Sequence, residues 1–165
     1  MEYLGTALTR RIDGLDAYAG LQQIGGTLTA TSGTTATFLG VPARFGHLLV
    51  EVLGVGHDGG ASQTLRIELS GDNGTTWTPA TGLFGAAQTA GATLYGSFLI
   101  PGYRRGCGSI SPSFGNLAAD HTVGNIGGST TSWRIAAGIN ALRFSWSGGG
   151  NFDATGAGQL KLHGF

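Results

Sequence analysis

Nine carboxylates, four histidines and one cysteine are the groups in this 165-residue chain that could do acid–base, metal or nucleophilic chemistry. Cleaving a glycosidic bond takes two carboxyl groups facing each other across it. No such pair stands out. Glu51 and Glu68 fall inside apolar alternating runs, where Arg66 or Arg143 would be natural partners. Asp58, Asp72, Asp120 and Asp153 sit in turn contexts, where Asp bonds to its own backbone. His47, His57, His121 and His163 are scattered, with no partner at a zinc-ligand spacing. No calcium-loop pattern occurs. Cys107 is the single cysteine, so it forms no internal disulfide; it reads as a small buried apolar residue. A nucleophile elbow and a phosphate-binding loop are both missing. The expectation is therefore no enzyme: no catalytic residue, no metal and no cofactor.

One stretch carries a recognisable pattern. Ser70–Trp77 reads SGDNGTTW and resembles the Asp-box hairpin of sialidases and other sugar-handling proteins. Its chemistry is structural. The Asp72 carboxylate would accept backbone amides, Gly74 would take a positive φ, and Trp77 would pack beneath the turn. Sialidases carry several copies on separate blades; this chain carries one, and predicts a turn.

Saccharide contact uses flat aromatic rings with hydrogen-bonding neighbours. Tyr95, Phe98, Tyr103, Phe114, Trp133 and Trp146 are either core aromatics or members of such a surface. The best carbohydrate-binding set is Tyr95 with Tyr103, Arg104 and Arg105, beside a long glycine-rich loop.

The elements that must hold these residues are strands. Glycine contributes 32 residues and charged residues only 11%, with 41% apolar residues and no collagen period. From Thr27 the apolar period is two. TLTATSGTTATFLGV suggests a hairpin about Ser32–Gly33, and Phe45–Gly56 a strong strand. Gln63–Ser70 sets Leu65, Ile67 and Leu69 against Arg66 and Glu68. Residues 79–93 and 116–130 read as long loops. Two strands flank Gly138–Asn140, with Leu142, Phe144 and Trp146 on one face, and Leu160 and Leu162 alternate in the last strand. Eight to ten strands at this spacing predict an all-β fold, an antiparallel, jelly-roll-like β-sandwich over residues 27–165. Residues 1–26 differ. Leu4, Leu8, Ile12 and Leu15 fall on one helical face, predicting a short helix or docking arm.

The run FLGVPARFGHLLVEVLGVGHDGGASQTLRIELSGDNGTTW resembles virion proteins of tailed bacteriophages and gene transfer agents, of tail-fibre, head-fibre or head-spike type. The matching residues are Phe38, Gly40–Pro42, His47–Val50 and Leu65–Trp77. The Phe152–Asp153 turn and the closing His163–Phe165 also fit. The resemblance implies a β-sandwich module of a virus-like particle, with no catalytic site. It also implies other virion proteins and further copies of the chain as partners, docked through residues 1–26. Exposed loops would touch host-surface polysaccharide; a free carbohydrate-binding module is the alternative. Formal net charge is zero, which disfavours nucleic acid. No apolar run has membrane-spanning length, and the N-terminus lacks a secretory pattern. Synthesis in a bacterial host cytoplasm and residence in the virion are the expectation.

Overall fold

A computed structural model of the chain describes residues 20–79, 81–82, 87–110, 118–119 and 131–165. Its strands are β1 (Gln22–Gln23), β2 (Leu28–Thr29), β3 (Thr35–Phe38), β4 (His47–His57), β5 (Leu65–Ser70) and β6 (Thr81–Gly82). They continue with β7 (Leu94–Pro101), β8 (Cys107–Ile110), β9 (Ala118–Ala119), β10 (Thr131–Arg134), β11 (Ala141–Trp146), β12 (Phe152–Asp153) and β13 (Gln159–Gly164). Among the described residues the fold is all-β, without a helix, and every pairing is antiparallel.

Seven strands form the larger sheet, in the order β1-β13-β4-β7-β9, with β12 also on β4 and β2 also on β13. Four form a second, β3-β11-β5-β6, and β10 pairs with β8 alone. Side-chain alternation explains the long strands. In β4, Leu48, Val50 and Val52 are fully buried, while Leu49, Glu51 and Leu53 turn outward and are half-buried. A bulge at Gly54 then shifts the register, so that Val55 takes the next inward place. In the second sheet, Leu142 lies opposite Leu69, Phe144 opposite Ile67 and Trp146 opposite Leu65.

The inward faces of the two larger sheets share one apolar cluster. Phe98 of β7 meets Phe144 of β11 edge-on at 6.4 Å between ring centroids, and Phe38 of β3 meets it at 6.3 Å. Trp146 and Phe152 close one end at 6.2 Å. Each such buried ring contributes about 1.5–3 kcal/mol of transfer free energy.

Several sequence expectations change. The segment about Ser32–Gly33 is not a hairpin: β2 pairs with β13 and β3 with β11, so the turn carries the chain from one sheet to the other. The two strands expected about Gly138–Asn140 are present, and they lie in different sheets: β10 joins β8 while β11 lies between β3 and β5. Alternation marks a strand, but the burial of its apolar face chooses its partner. Within the segments read as long loops lie β6, β9 and a bridge between Gln63 and Gln88. Part of the segment read as residues 1–26 joins the larger sheet. Gln22–Gln23 pairs with β13, and Ile24 is buried with its N–H on the Leu162 carbonyl at 2.7 Å. Leu4, Leu8, Ile12 and Leu15 lie outside the described residues.

Candidate functional site

The Asp-box stretch forms a corner closed by its own side chains. Asp72 Oδ1 accepts from the Thr76 N–H (2.8 Å) and the Ser70 hydroxyl (2.7 Å), and Oδ2 from the Thr76 hydroxyl (2.6 Å). Ser70 Oγ in turn accepts from the N–H of Gly74 at 2.9 Å. These bonds favour the ionised carboxylate and pull the Asp72 pKa from 3.8 to about 2, led by the Thr76 hydroxyl. Gly74 takes φ +87°, and a Cβ there would lie 3.1 Å from Trp77 Cζ2, so the indole does pack against the turn. Asn73 Oδ1 accepts from the N–H of Gly40 at 2.7 Å, and Asn140 Oδ1 from that of Asn73 at 2.7 Å. The corner is thus joined to two neighbouring loops. Outside it, Arg143 forks Glu68 at 2.6 and 2.8 Å and lays its guanidinium 4.5 Å from the Trp77 ring centre.

The four residues selected for saccharide contact do not form one surface. Tyr103 is 0% exposed, and its hydroxyl donates to the Pro42 carbonyl. Its ring therefore belongs to the core and has no free face for a sugar. Burial also pushes its phenol pKa up. Tyr95 is half-buried near the start of β7, while the Tyr103 turn follows its end. Six strand residues separate them by about 20 Å. Phe98, Trp133 and Trp146 are core aromatics as well, at 1%, 7% and 3% exposure; Phe114 lies outside the described residues.

Arg104 and Arg105 are exposed, and the fold brings them a companion the sequence does not suggest. The Tyr103–Pro42 bond ties their turn to the loop carrying Arg44, and both Arg104 and Arg44 lie near enough to act electrostatically on the Tyr103 hydroxyl. The turn itself is held at several points. Arg105 N–H donates to the Gly102 carbonyl (2.8 Å), Ile139 N–H to that of Tyr103 (2.9 Å) and Ile135 N–H to that of Gly106 (2.6 Å). Arg44 is exposed, with its guanidinium 4.8 Å from the Phe45 ring centre and Nη2 3.4 Å from Gln22 Oε1. Beside it His47 stacks on Phe165 at 5.3 Å, and its Nδ1 accepts from the N–H of Gly102 at 3.3 Å. Phe165 is 44% exposed. Arg44, Arg104, Arg105, His47 and Phe165 thus gather at one end of β4.

Carboxylates are engaged elsewhere. Among the described residues Arg143 and Glu68 form an ion pair, and His163 Nε2 lies 3.2 Å from Glu51 Oε2. Asp58 binds the backbone N–H and side-chain amide of Asn151 at 2.8 and 2.9 Å, and the side-chain bond leads in lowering its pKa. Asp153 accepts from the N–H of Thr155 at 3.0 Å. No three His, Cys, Asp or Glu among the described residues group to hold a metal ion. Cys107 is exposed rather than buried, because it stands opposite the exposed Arg134 at the start of the two-stranded ribbon.

A cleft of about 320 Å³ opens between β5 and that ribbon, lined by Ile67, Leu69, Ile110 and Trp133 with Thr78 and Arg134 at its polar side. Trp133 Nε1 is buried without a hydrogen-bond partner. The Asp-box corner braces one wall, since Thr78 and Leu69 exchange three hydrogen bonds of 3.0–3.1 Å.

No family model, curated protein or solved structure matches the chain. Sequence reading found the Arg104–Arg105 pair but missed Arg44, His47 and Phe165. Their convergence rests on contacts spanning 55 and 61 residues, which no local pattern announces.

Proposed function

We propose that the chain is a structural component of a phage-type or gene-transfer-agent particle, a fibre, spike or decoration module. In this reading it is a jelly-roll-like β-sandwich that meets host-surface glycans through the end bearing Arg44, Arg104 and Arg105. One observation carries the reading: among the described residues each carboxylate already holds a turn, a loop or a ladder position, and none of them lies in ion-pair range of these three exposed arginines. The polar chemistry of the body serves rigidity, and what it leaves outward is a contact surface. The stretch Leu65–Trp77, which resembles virion proteins, supplies β5 and the braced corner. Docking to other virion proteins and to further copies of the chain through Leu4, Leu8, Ile12 and Leu15 belongs to this proposal.

The same arginine end would serve a free carbohydrate-binding module, and particle association separates the two. Particles banded on a density gradient should contain peptides of this chain at a fixed ratio to the major capsid protein. Recovery of the chain only in the soluble fraction would contradict the particle assignment.

A further inference from the structure

We propose that the arginine end recognises an anionic saccharide, one bearing carboxylate, phosphate or sulfate groups. The inference deepens the glycan-contact part of the function proposed above and rests on it.

Three features of the end point to an anion. Arg44, Arg104 and Arg105 come from two loops pinned together by the buried Tyr103, so the fold places three positive charges on adjoining loops. A second charge of the same sign nearby is unfavourable unless an opposite charge offsets it. Of the oxygens shown beside Arg44, the Phe165 main-chain oxygen is already taken by the N–H groups of Gly46 and His47 at 2.9 and 3.0 Å, and Gln22 Oε1, at 3.4 Å from Arg44 Nη2, carries no charge. Guanidinium groups present planar forks matched to carboxylate, phosphate or sulfate.

Two further features point to a saccharide. The exposed Phe165 ring, backed by His47, offers an apolar face on which the C–H groups of a sugar ring can rest. The surface is also small, and the whole chain has no net charge. A nucleic-acid duplex needs a broader cationic footprint. The far end of β4 carries acids instead. Asp58 and Asp153 lie next to or opposite its last residues, about 30 Å from His47.

The test uses the full chain and titrates it with polygalacturonate, dextran sulfate, neutral dextran and a DNA duplex. The variants are Arg44→Ala, the double change Arg104→Ala with Arg105→Ala, Phe165→Ala, and Arg66→Ala as a distant control; thermal melting checks that each folds. Acidic polysaccharides should bind with affinity that falls as salt rises. The arginine changes should each weaken binding by about tenfold or more. Phe165→Ala should weaken it too, and Arg66→Ala should leave it unchanged. Equal binding of neutral dextran, stronger binding of the duplex, or arginine variants that bind like the parent would each overturn the inference. Arginine-dependent binding of neutral dextran would sink the anionic specificity yet leave glycan contact standing. Absence from particles would sink the particle reading alone.

Discussion

The hydroxyl of Tyr103 donates to the carbonyl of Pro42, joining two loops 61 residues apart in sequence. With Tyr103 fully buried, the bond fixes where Arg104 and Arg105 stand relative to Arg44. Tyr103→Phe keeps the ring but strips the Pro42 carbonyl of this donor. Losing a half-buried hydrogen bond of this kind costs about 0.5–1.5 kcal/mol. Urea unfolding should show that loss, and affinity for acidic polysaccharide should fall although no arginine has changed. A variant as stable as the parent would show that the bond does not hold the loops.

The Asp72 corner predicts an acid dependence. Its folded-state pKa is depressed from 3.8 to about 2, so ionised Asp72 stabilises the fold above the unfolded value. That contribution is lost as pH falls from about 4 through about 2. Asp58 acts in the same direction. Asp72→Ala should be destabilised relative to the parent near neutral pH, and the gap should narrow steadily over that acid window. A gap independent of pH would rule out the carboxylate as the corner's clasp.

Gly54 tests the bulge in β4. It has φ +63°, and an added Cβ would lie 2.1 Å from the Gly156 carbonyl oxygen. Gly54→Ala should cost more than about 1 kcal/mol, since both the strained φ and the clash oppose it. Gly60→Ala meets no atom within 4 Å and has no positive φ, so it should change stability little. Thermal melts of the two variants make the comparison.

Phe144 joins the two larger sheets through Phe98 of β7, and Phe38 of its own sheet packs against the same ring. Phe144→Ala should cost about 3–5 kcal/mol, whereas truncating Leu39, 58% exposed, should cost far less. Similar losses at the two positions would mean that the sheets do not share one core.

Much of this was legible from residue order. Leu65, Ile67 and Leu69 alternate against Arg66 and Glu68, and the strand lies as that pattern requires. The same holds for Leu142, Phe144 and Trp146, and for Leu160 and Leu162. The SGDNGTTW corner was legible because Asp72, Gly74 and Trp77 act within eight residues of chain. Partners were not. The turn at Ser32–Gly33 looks the same whether it closes a hairpin or passes between sheets, since only packed neighbours distinguish the two. Tyr103 followed by Arg104 and Arg105 resembles a surface patch until the Pro42 carbonyl, far off in sequence, is seen to accept its hydroxyl. Arg44 joins the site for the same reason and was equally hidden.

The most direct test of the account is imaging of intact particles with a label fused to this chain. Label should appear at regular, repeated positions on the particle surface. Antibody raised to the 102–106 turn should reach the protein there, with the arginine end outward. Particles without label, or label present but with that turn shielded on every copy, would contradict the claim that the chain is a building piece whose arginine end meets the host.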